Sequence, residues 1–396
     1  MPAAAYLGLV AIPIFGIAAG IAFEEGAIKH APTNTLATLM EACTVPSRQS
    51  LRSDITRGLV PQVDNFFCLI IPFFKSAVAS RLNIGALSVL ASLMIPLLTR
   101  LTYQAVSPNR KTGLFSGVWI FLIAAIGQLL GFGMVSVSLG LCIYTLGSYL
   151  AFKRTSAAVA PVPTAPGSIY LCNIALLLTG ATVIGSIFLD REGNNWFRCQ
   201  VAFQFFPLFL IPVVLASVST PLINTEKASR DELMCWDAES VSYSFERTWS
   251  YYRKYALAST VAYWYGAHRI IVGLVTDKDK YDDVTHFFVF DIAGTLVALV
   301  SLVILERLTF RSKASKHPLT GAPRSQLDIE CDKAISRAPA GSPWLEKTAA
   351  GFITAAIIAG PGCAAALWWC SGEEELGWKA RKAWREAVAV EGKKEK

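Results

Sequence analysis

The chain has 396 residues, of which 53% are hydrophobic and only 16% are charged, and its formal net charge is +7. Soluble domains contain about 25% charged residues, so the composition excludes an ordinary soluble enzyme. Most Lys and Arg residues lie in loops and in the C-terminal tail, a distribution that is typical of membrane-flanking segments and excludes nucleic acid as a partner.

Apolar runs of roughly 20 residues recur along the chain, and each could cross about 30 Å of hydrocarbon as a helix. Lipid offers the backbone no hydrogen-bond partners, and the runs lack the alternation of barrel strands. We therefore predict an all-α polytopic transmembrane helical bundle of about eight to ten spans, with one domain over 1–371 and a charged tail over 372–396. In chain order the predicted spans are Ala4–Phe23, Asn65–Ser80, Ile84–Leu98, two spans within Gly113–Phe152 joined near Gly131, Ser168–Leu189, Val201–Thr220, Ala256–Val275, Phe287–Leu305 and Ala349–Trp369.

The distribution of Lys and Arg predicts the orientation, because cytoplasmic loops carry more of these residues. One set of segments holds 22 of them and the opposite set holds five, where the first set is 24–64, 99–112, 153–167, 219–255 and 306–348. We expect the first set in the cytoplasm and the N-terminus in the lumen of the endoplasmic reticulum. The basic C-terminal tail fits only if the last span is re-entrant at Gly360-Pro361-Gly362.

The nine cysteines form no CxxC pair, their number is odd, and most lie within apolar runs. This pattern favours small buried side chains over a disulfide framework or a metal site.

Two aspartates lie where a carboxyl group is expensive to place. Asp291 lies four residues into an apolar run, and a charge at such a position marks a functional site by default. The alternative is a structural ion pair with Arg269. Asp64 opens the second predicted span, where an acid also favours a helix N-terminus.

Residues 277–283 read DKDKYDD and contain the DxxxD spacing that Mg²⁺-diphosphate sites use. Such sites in prenyl-transferring membrane enzymes need a second acidic motif, and the sequence has only one. The interleaved lysines favour an exposed loop.

Nucleotide, zinc-protease and serine-hydrolase motifs are absent, and the four histidines show no metal-ligand spacing. We therefore predict no cofactor and no metal. What remains is a set of acids among aromatic side chains. An acid in apolar surroundings can stay protonated and donate its proton, and aromatic faces stabilise carbocations. Together these features suit the opening of an alkene or epoxide by protonation.

Several short motifs resemble those of fungal integral-membrane terpene cyclases, the family found in ascochlorin, macrophorin and indole-diterpene (paxilline-type) clusters. The similar positions are Ile12-Pro13, Phe15-Gly16, Gly58, Val60-Pro61, Val63-Asp64, Phe67-Cys68, Phe73-Phe74, Trp196 with Gln200, the run Ala202 to Pro207, and Asp291 after His286-Phe-Phe. The likeness is scattered over residues 1–305. The basic segment 306–348 and the broken final span depart from the family pattern.

The resemblance implies a metal-independent membrane cyclase of secondary metabolism that acts on a lipophilic prenylated substrate, a meroterpenoid or an indole-terpenoid. Asp64 and Asp291 would be the catalytic acids, facing one cavity, with Asp64 as the proton donor. The substrate would be bound by aromatic and amide side chains, namely Phe67, Trp196, Gln200, Phe203, Gln204, Trp264 and Tyr265.

Three other functions stay open. A transporter or efflux protein for a hydrophobic metabolite would use Asp291 and Arg269 as a relay, although the sequence shows no internal repeat. A non-catalytic scaffold does not explain the acid within a span. A divalent-metal prenyltransferase would use the acids of residues 277–283.

Overall fold

The structure of the protein, a computed structural model, describes residues 10–29, 43, 56, 59–108, 115–154, 162–220, 234–310 and 348–394. Of these described residues 88% are helical and none lies in a strand, which confirms the prediction of an all-α fold. In chain order the helices are α1 (Ile12–Lys29), α2 (Pro61–Ala77), α3 (Arg81–Val106), α4 (Gly117–Leu130), α5 (Phe132–Val135), a π-helical turn (Ser136–Gly140), α6 (Leu141–Arg154), α7 (Pro166–Phe188), α8 (Asn194–Gln204), α9 (Phe206–Phe209), α10 (Ile211–Ser219), α11 (Ala238–Val272), a second π-helical turn (Gly273–Asp277), α12 (Asp283–Phe310), α13 (Ala349–Ala359) and α14 (Pro361–Lys394).

Three helices in the described part of the chain are long and apolar enough to cross a membrane, namely α3, α7 and the Asp283–Glu306 part of α12. Helices α8 to α10 would add a fourth span if the 66° bend between Asn194–Gln204 and Phe206–Ser219 lies within one crossing. The count falls below the predicted eight to ten because other apolar runs are broken into shorter helices. Helix α4, for example, has 14 residues and extends only about 21 Å.

Helices α3 and α12 begin at one end of the bundle and finish at the other. Near their beginnings, the Leu82 amide donates to Asp279 in the loop before α12, over 2.9 Å. Near their ends, Arg100 is paired with Glu306. We call these the aspartate end and the arginine end. Helix α11 runs the opposite way, since Ser259 bonds to Ser92 and Tyr252 bonds to Arg100.

Helix α1 finishes at the aspartate end, because the carbonyl oxygen of Gly26 lies 2.9 Å from Nε2 of His286, near the start of α12. Its first turn lies beside α6, where Pro13 accepts from the Cys142 thiol. Segments 24–64 and 99–112 therefore leave their preceding helices at opposite ends of the bundle. The prediction that they share a side is wrong, because α1 and α2 both finish at the aspartate end, which a count of basic residues cannot show.

The last two helices form a hairpin around Gly360, which has a φ of +92°. The rings of Phe352 and Trp368, eight residues before and after this glycine, are 6.3 Å apart. The chain therefore reverses at Gly360, as the re-entrant interpretation requires. The predicted tail is the second half of α14, and it packs on α11, where Trp384 Nε1 donates to the Trp236 carbonyl oxygen over 2.8 Å.

Cys43 and Cys68 form a disulfide across 25 positions of sequence, so the prediction of unpaired cysteines is wrong for this pair. No spacing motif marks the bond, since Cys43 lies in a polar segment and Cys68 in an apolar run. The prediction of small buried side chains agrees with Cys172, Cys363 and Cys370, which are buried and lie outside the disulfide. Cys331 lies outside the described residues.

Helices α4 and α5 form a second hairpin, at Gly131, which has a φ of +98°. Here α5 approaches α12 closely. A Cβ atom on Gly133 would lie only 2.0 Å from the backbone oxygen of Asp291, and one on Gly294 would lie 2.7 Å from the carbonyl carbon of Gly133. Glycine at these positions permits the contact that brings Asp291 against the hairpin.

We expect Gly133→Ala to destabilise the protein by about 1–3 kcal/mol, because the added methyl group overpacks a backbone contact. Gly180→Ala is the matched control, since a Cβ atom on this helical glycine meets nothing within 4 Å. Alanine there should leave stability unchanged or raise it by about 0.5–1 kcal/mol. The measurement is the thermal unfolding midpoint of each variant in detergent, and equal midpoints would contradict the close approach of α5 and α12.

Candidate active site

Asp291 is 4% exposed and lies in α12 at the level of the α4–α5 hairpin. Its Oδ1 atom accepts a hydrogen bond from the backbone N–H of Gly133, at the start of α5. The first N–H groups of a helix lack partners within the helix, so a carboxyl group there is favourable. This hydrogen bond thus joins α12 to the α4–α5 hairpin.

The expected alternative for Asp291, an ion pair with Arg269, is not formed. Arg269 lies over the ring of Tyr265, with its guanidinium carbon 5.1 Å from the ring centroid. Within the described part of the chain, no ion pair involves Asp291. Desolvation penalises a buried charge that forms no ion pair. Of the two predicted acids, Asp291 therefore has the less usual environment for a carboxyl group.

Asp64 is fully buried in the first turn of α2. The backbone N–H of Thr56 donates to Oδ1 and the Thr56 hydroxyl donates to Oδ2, both over 2.8 Å. Both carboxyl oxygens are therefore engaged by the segment that leads into the helix. This arrangement gives Asp64 a structural role, and it is the reason we no longer favour Asp64 as the proton donor.

The described partners of the two acids are different, so a shared cavity stays a prediction. Their helices do meet, because the Phe73 ring of α2 lies 5.4 Å from Phe287 and 6.1 Å from Phe288 in α12. These rings lie about one turn before Asp291. Asp64 lies nine positions before Phe73 in its own helix.

Three of the predicted substrate-binding aromatics lie where α2 meets α8 and its break. Phe67 contacts Phe205 at 5.6 Å between centroids, and Phe203 contacts Phe74 at 5.3 Å. Trp196 is buried, and its indole N–H donates to the Ser186 carbonyl oxygen of α7 over 3.0 Å. The indole N–H of Trp196 thus joins α8 to α7.

Trp264 and Tyr265 have other neighbours. Trp264 is 53% exposed and donates to the Ile358 carbonyl oxygen of α13 over 3.0 Å. The Tyr265 ring lies 5.7 Å from Phe188, the last residue of α7. The contacts described for these two side chains are with α13 and α7 rather than with α8.

Two predicted amide residues of α8 are buried without full hydrogen bonding. Gln200 is 0% exposed, and no described group bonds to its Oε1 or Nε2 atom. One turn later, Oε1 of Gln204 accepts from Nε2 of Gln128 in α4, whereas its own Nε2 has no described partner. Buried amides are nearly always bonded in native structures, so this glutamine cluster (Gln128, Gln200 and Gln204) is unusual.

A buried ionic network at the arginine end was missed by the sequence analysis. Arg100 is 2% exposed. Its Nε atom lies 2.8 Å from Oε1 of Glu306, and its Nη1 atom lies 2.7 Å from Oε1 of Glu373. Tyr144 donates to Glu306, and the guanidinium lies over the Trp369 ring, 5.7 Å from its centroid. The network joins α3, α6, α12 and α14.

The sequence contains a signal for this network. Arg100, Glu306 and Glu373 each follow a long apolar run directly or within a few residues. The sequence analysis places such charges in loops. Opposite charges at the ends of apolar runs are better examined as possible buried pairs.

The acids of residues 277–283 hold helix ends in place. Asp279 accepts from the Leu82 amide at the start of α3, and Asp282 accepts from the Thr285 amide of α12 over 2.7 Å. Arg81 pairs with Asp277 at 3.1 Å. Among the described residues, no group of three or more His, Cys, Asp or Glu side chains could hold a metal ion.

The chain matches no protein-family model, no curated protein and no solved structure.

We expect Arg100→Met to destabilise the fold by about 3–5 kcal/mol, because it leaves two carboxyl groups buried without their cation. The control is Lys75→Met, which removes the exposed Lys75–Glu192 pair and should cost less than about 1 kcal/mol. The fraction of monodisperse protein that survives a heating series reports the difference. Similar losses for both variants would show that the Arg100 pairs are no stronger than a surface pair.

Proposed function

We propose that the protein is a membrane-bound, metal-independent terpene cyclase. It protonates the terminal alkene or epoxide of a lipophilic prenylated substrate and guides the closure of the carbocation. The observation that supports this function best is Asp291, a buried carboxyl group that is bonded by the backbone at the start of α5 and forms no ion pair among the described residues.

In this proposal the N–H of Gly133 holds the Asp291 carboxyl group in one orientation. The proton passes from the carboxyl group to the less substituted carbon of the terminal alkene, or to the epoxide oxygen as its C–O bond breaks, and the cation forms at the more substituted carbon. The prenyl double bonds attack in turn, and loss of a proton to a base or to water ends the reaction. The rings of Phe73, Phe287 and Phe288 near this residue would stabilise positive charge.

Asp291→Asn should lower cyclisation by about two orders of magnitude or more, because the amide cannot supply the proton. Its oxygen can still accept from Gly133, so expression should be unchanged. Microsomes are incubated with prenylated phenols and indoles, and the products are analysed by mass spectrometry. The control variant is Glu192→Gln, which removes an exposed acid. A further variant, Asp64→Asn, distinguishes a structural from a catalytic role of Asp64.

Parent-like turnover by Asp291→Asn would contradict the assignment of the acid. Loss of activity on chelation, with recovery on added Mg²⁺, would favour the prenyltransferase instead.

A transporter for a hydrophobic metabolite is the second candidate, and the broken helices favour it. Helices interrupted inside the bundle, here near Gly131, Phe205 and Gly360, are typical of transporter binding sites. Movement of unchanged substrate across proteoliposomes, without a cyclised product, would support this function.

We further propose that the arginine end lies on the cytoplasmic side of the endoplasmic reticulum membrane. The N-terminus would lie on that side too, which reverses the expectation of a luminal N-terminus. Segment 311–347 and residues 379–396 leave from this end and carry seven Lys and Arg residues each, whereas residues 30–60 carry three. The tail now follows the positive-inside rule. The Cys43–Cys68 disulfide joins α2 to the connection that leaves α1 at the aspartate end, and a disulfide suits an oxidising lumen.

Epitope tags at both termini test this orientation. In intact microsomes we expect added protease to remove both tags, because both termini face the cytoplasm. A luminal enzyme serves as the control for sealed vesicles. Protection of the N-terminal tag alone would restore the luminal N-terminus.

A further inference from the structure

The glutamine cluster is the strongest unexplained feature of the bundle interior. An amide that is buried without partners forfeits its hydrogen bonds to water, which destabilises the fold. Gln200 forgoes bonds to both of its polar atoms. A leucine would fill the same place without losing hydrogen bonds. The presence of an amide therefore indicates a ligand that bonds to it.

The position of the cluster relates it to Asp291. Gln200 lies one turn before Gln204, and Gln204 bonds to Gln128. Gln128 lies three residues before Gly131, and a Cβ atom on that glycine would lie 3.2 Å from Oδ1 of Asp291. Gln128 therefore lies about one helical turn along α4 from the glycine that adjoins Asp291.

The helix break provides a route to the surface. Phe205, at the break directly after Gln204, is 41% exposed, and the chain bends by 66° between α8 and the helices that follow. Gln204 and Gln200 therefore lie one and five positions before a residue that is exposed at the outer surface of the bundle.

The chemistry of the free atoms specifies the ligand. Gln200 offers an NH2 group and a carbonyl oxygen that no described group bonds, and Gln204 offers a second such NH2 group. No described Lys, Arg or His side chain bonds to these amides, so the contacts favour an uncharged ligand over an anion. An uncharged group that both donates and accepts hydrogen bonds can bond to both polar atoms of Gln200.

We propose that the glutamine cluster binds an uncharged, hydroxyl-bearing aromatic head group of the substrate, with the prenyl chain directed toward Asp291. This inference rests on the proposed function for the direction of the chain, but the recognition of the head group does not depend on turnover. A methyl ether in place of the hydroxyl leaves Oε1 of Gln200 without a donor, and burial makes that loss expensive.

The test is equilibrium binding of two radiolabelled probes, 2-farnesylphenol and its methyl ether 2-farnesylanisole, to the purified full chain in lipid nanodiscs. The parent should bind the phenol about tenfold to a hundredfold more tightly than the ether. Gln200→Leu should reduce this ratio to about one, while Gln62→Leu, on an exposed glutamine of α2, should keep the parent ratio. Binding is measured in the Asp291→Asn background as well, so that conversion of the probe does not affect the result.

Stability supplies the second readout. Without ligand, Gln200→Leu should be at least as stable as the parent, because it removes an unsatisfied buried amide. A marked loss of stability would overturn the proposal, since the amide would then bond to ordered water or protein as part of the fold. An unchanged phenol-to-ether ratio in Gln200→Leu would overturn it too. If the phenol-to-ether ratio falls to one in Gln200→Leu but the parent protein cyclises neither probe, the cluster binds the head group and only the cyclase assignment fails.

Discussion

The packing of the bundle depends on Arg100. A guanidinium that is 2% exposed requires partners, because an unpaired charge inside a protein costs several kcal/mol. Those partners come from α12 and α14, which are distant in sequence, so α3 can bury this residue only when both helices are in place. The cation therefore specifies an arrangement more than it adds net stability, since apolar side chains of similar volume would serve as well for stability alone.

The charged, tyrosine and amide groups of the interior fall into two classes. Those at the arginine end are bonded, with Tyr144 on Glu306, and with Tyr103 and Tyr255 both donating to Asn173, although Trp369 Nε1 and Thr145 Oγ1 have no described partner there. The glutamine cluster and the buried carboxyl group of Asp291, at the two helix breaks, have free atoms or lack a counter-ion. A buried network whose members are hydrogen-bonded has a structural role, because it fixes the packing of the helices. Incompletely bonded groups carry a cost that selection retains where a ligand or a reaction uses them.

The sequence predicts local features well and remote pairings poorly. The all-α fold follows from apolar run lengths, and the reversal at Gly360 follows from a Gly-Pro-Gly break together with the charge of the tail, because both are properties of neighbouring residues. The Arg100 network and the Cys43–Cys68 bond depend on residues that are far apart in sequence. Asp64 shows a different limit, because Thr56 lies only eight positions away, yet no motif marks it as the donor to both carboxyl oxygens.

Helix ends offer a way to build polar chemistry in a membrane interior without many charged residues. At Gly131 the chain exposes the first N–H groups of α5, and Asp291 meets them. At Phe205 the bend of α8 interrupts the helix next to two amides. A cation cyclisation needs one acid, neutral contacts for a head group and apolar or aromatic walls elsewhere, since water or a nearby base would quench the cation. The interior around these two breaks has this composition, and for this reason we favour the cyclase over a transporter, whose site would also have to open at both ends of the bundle.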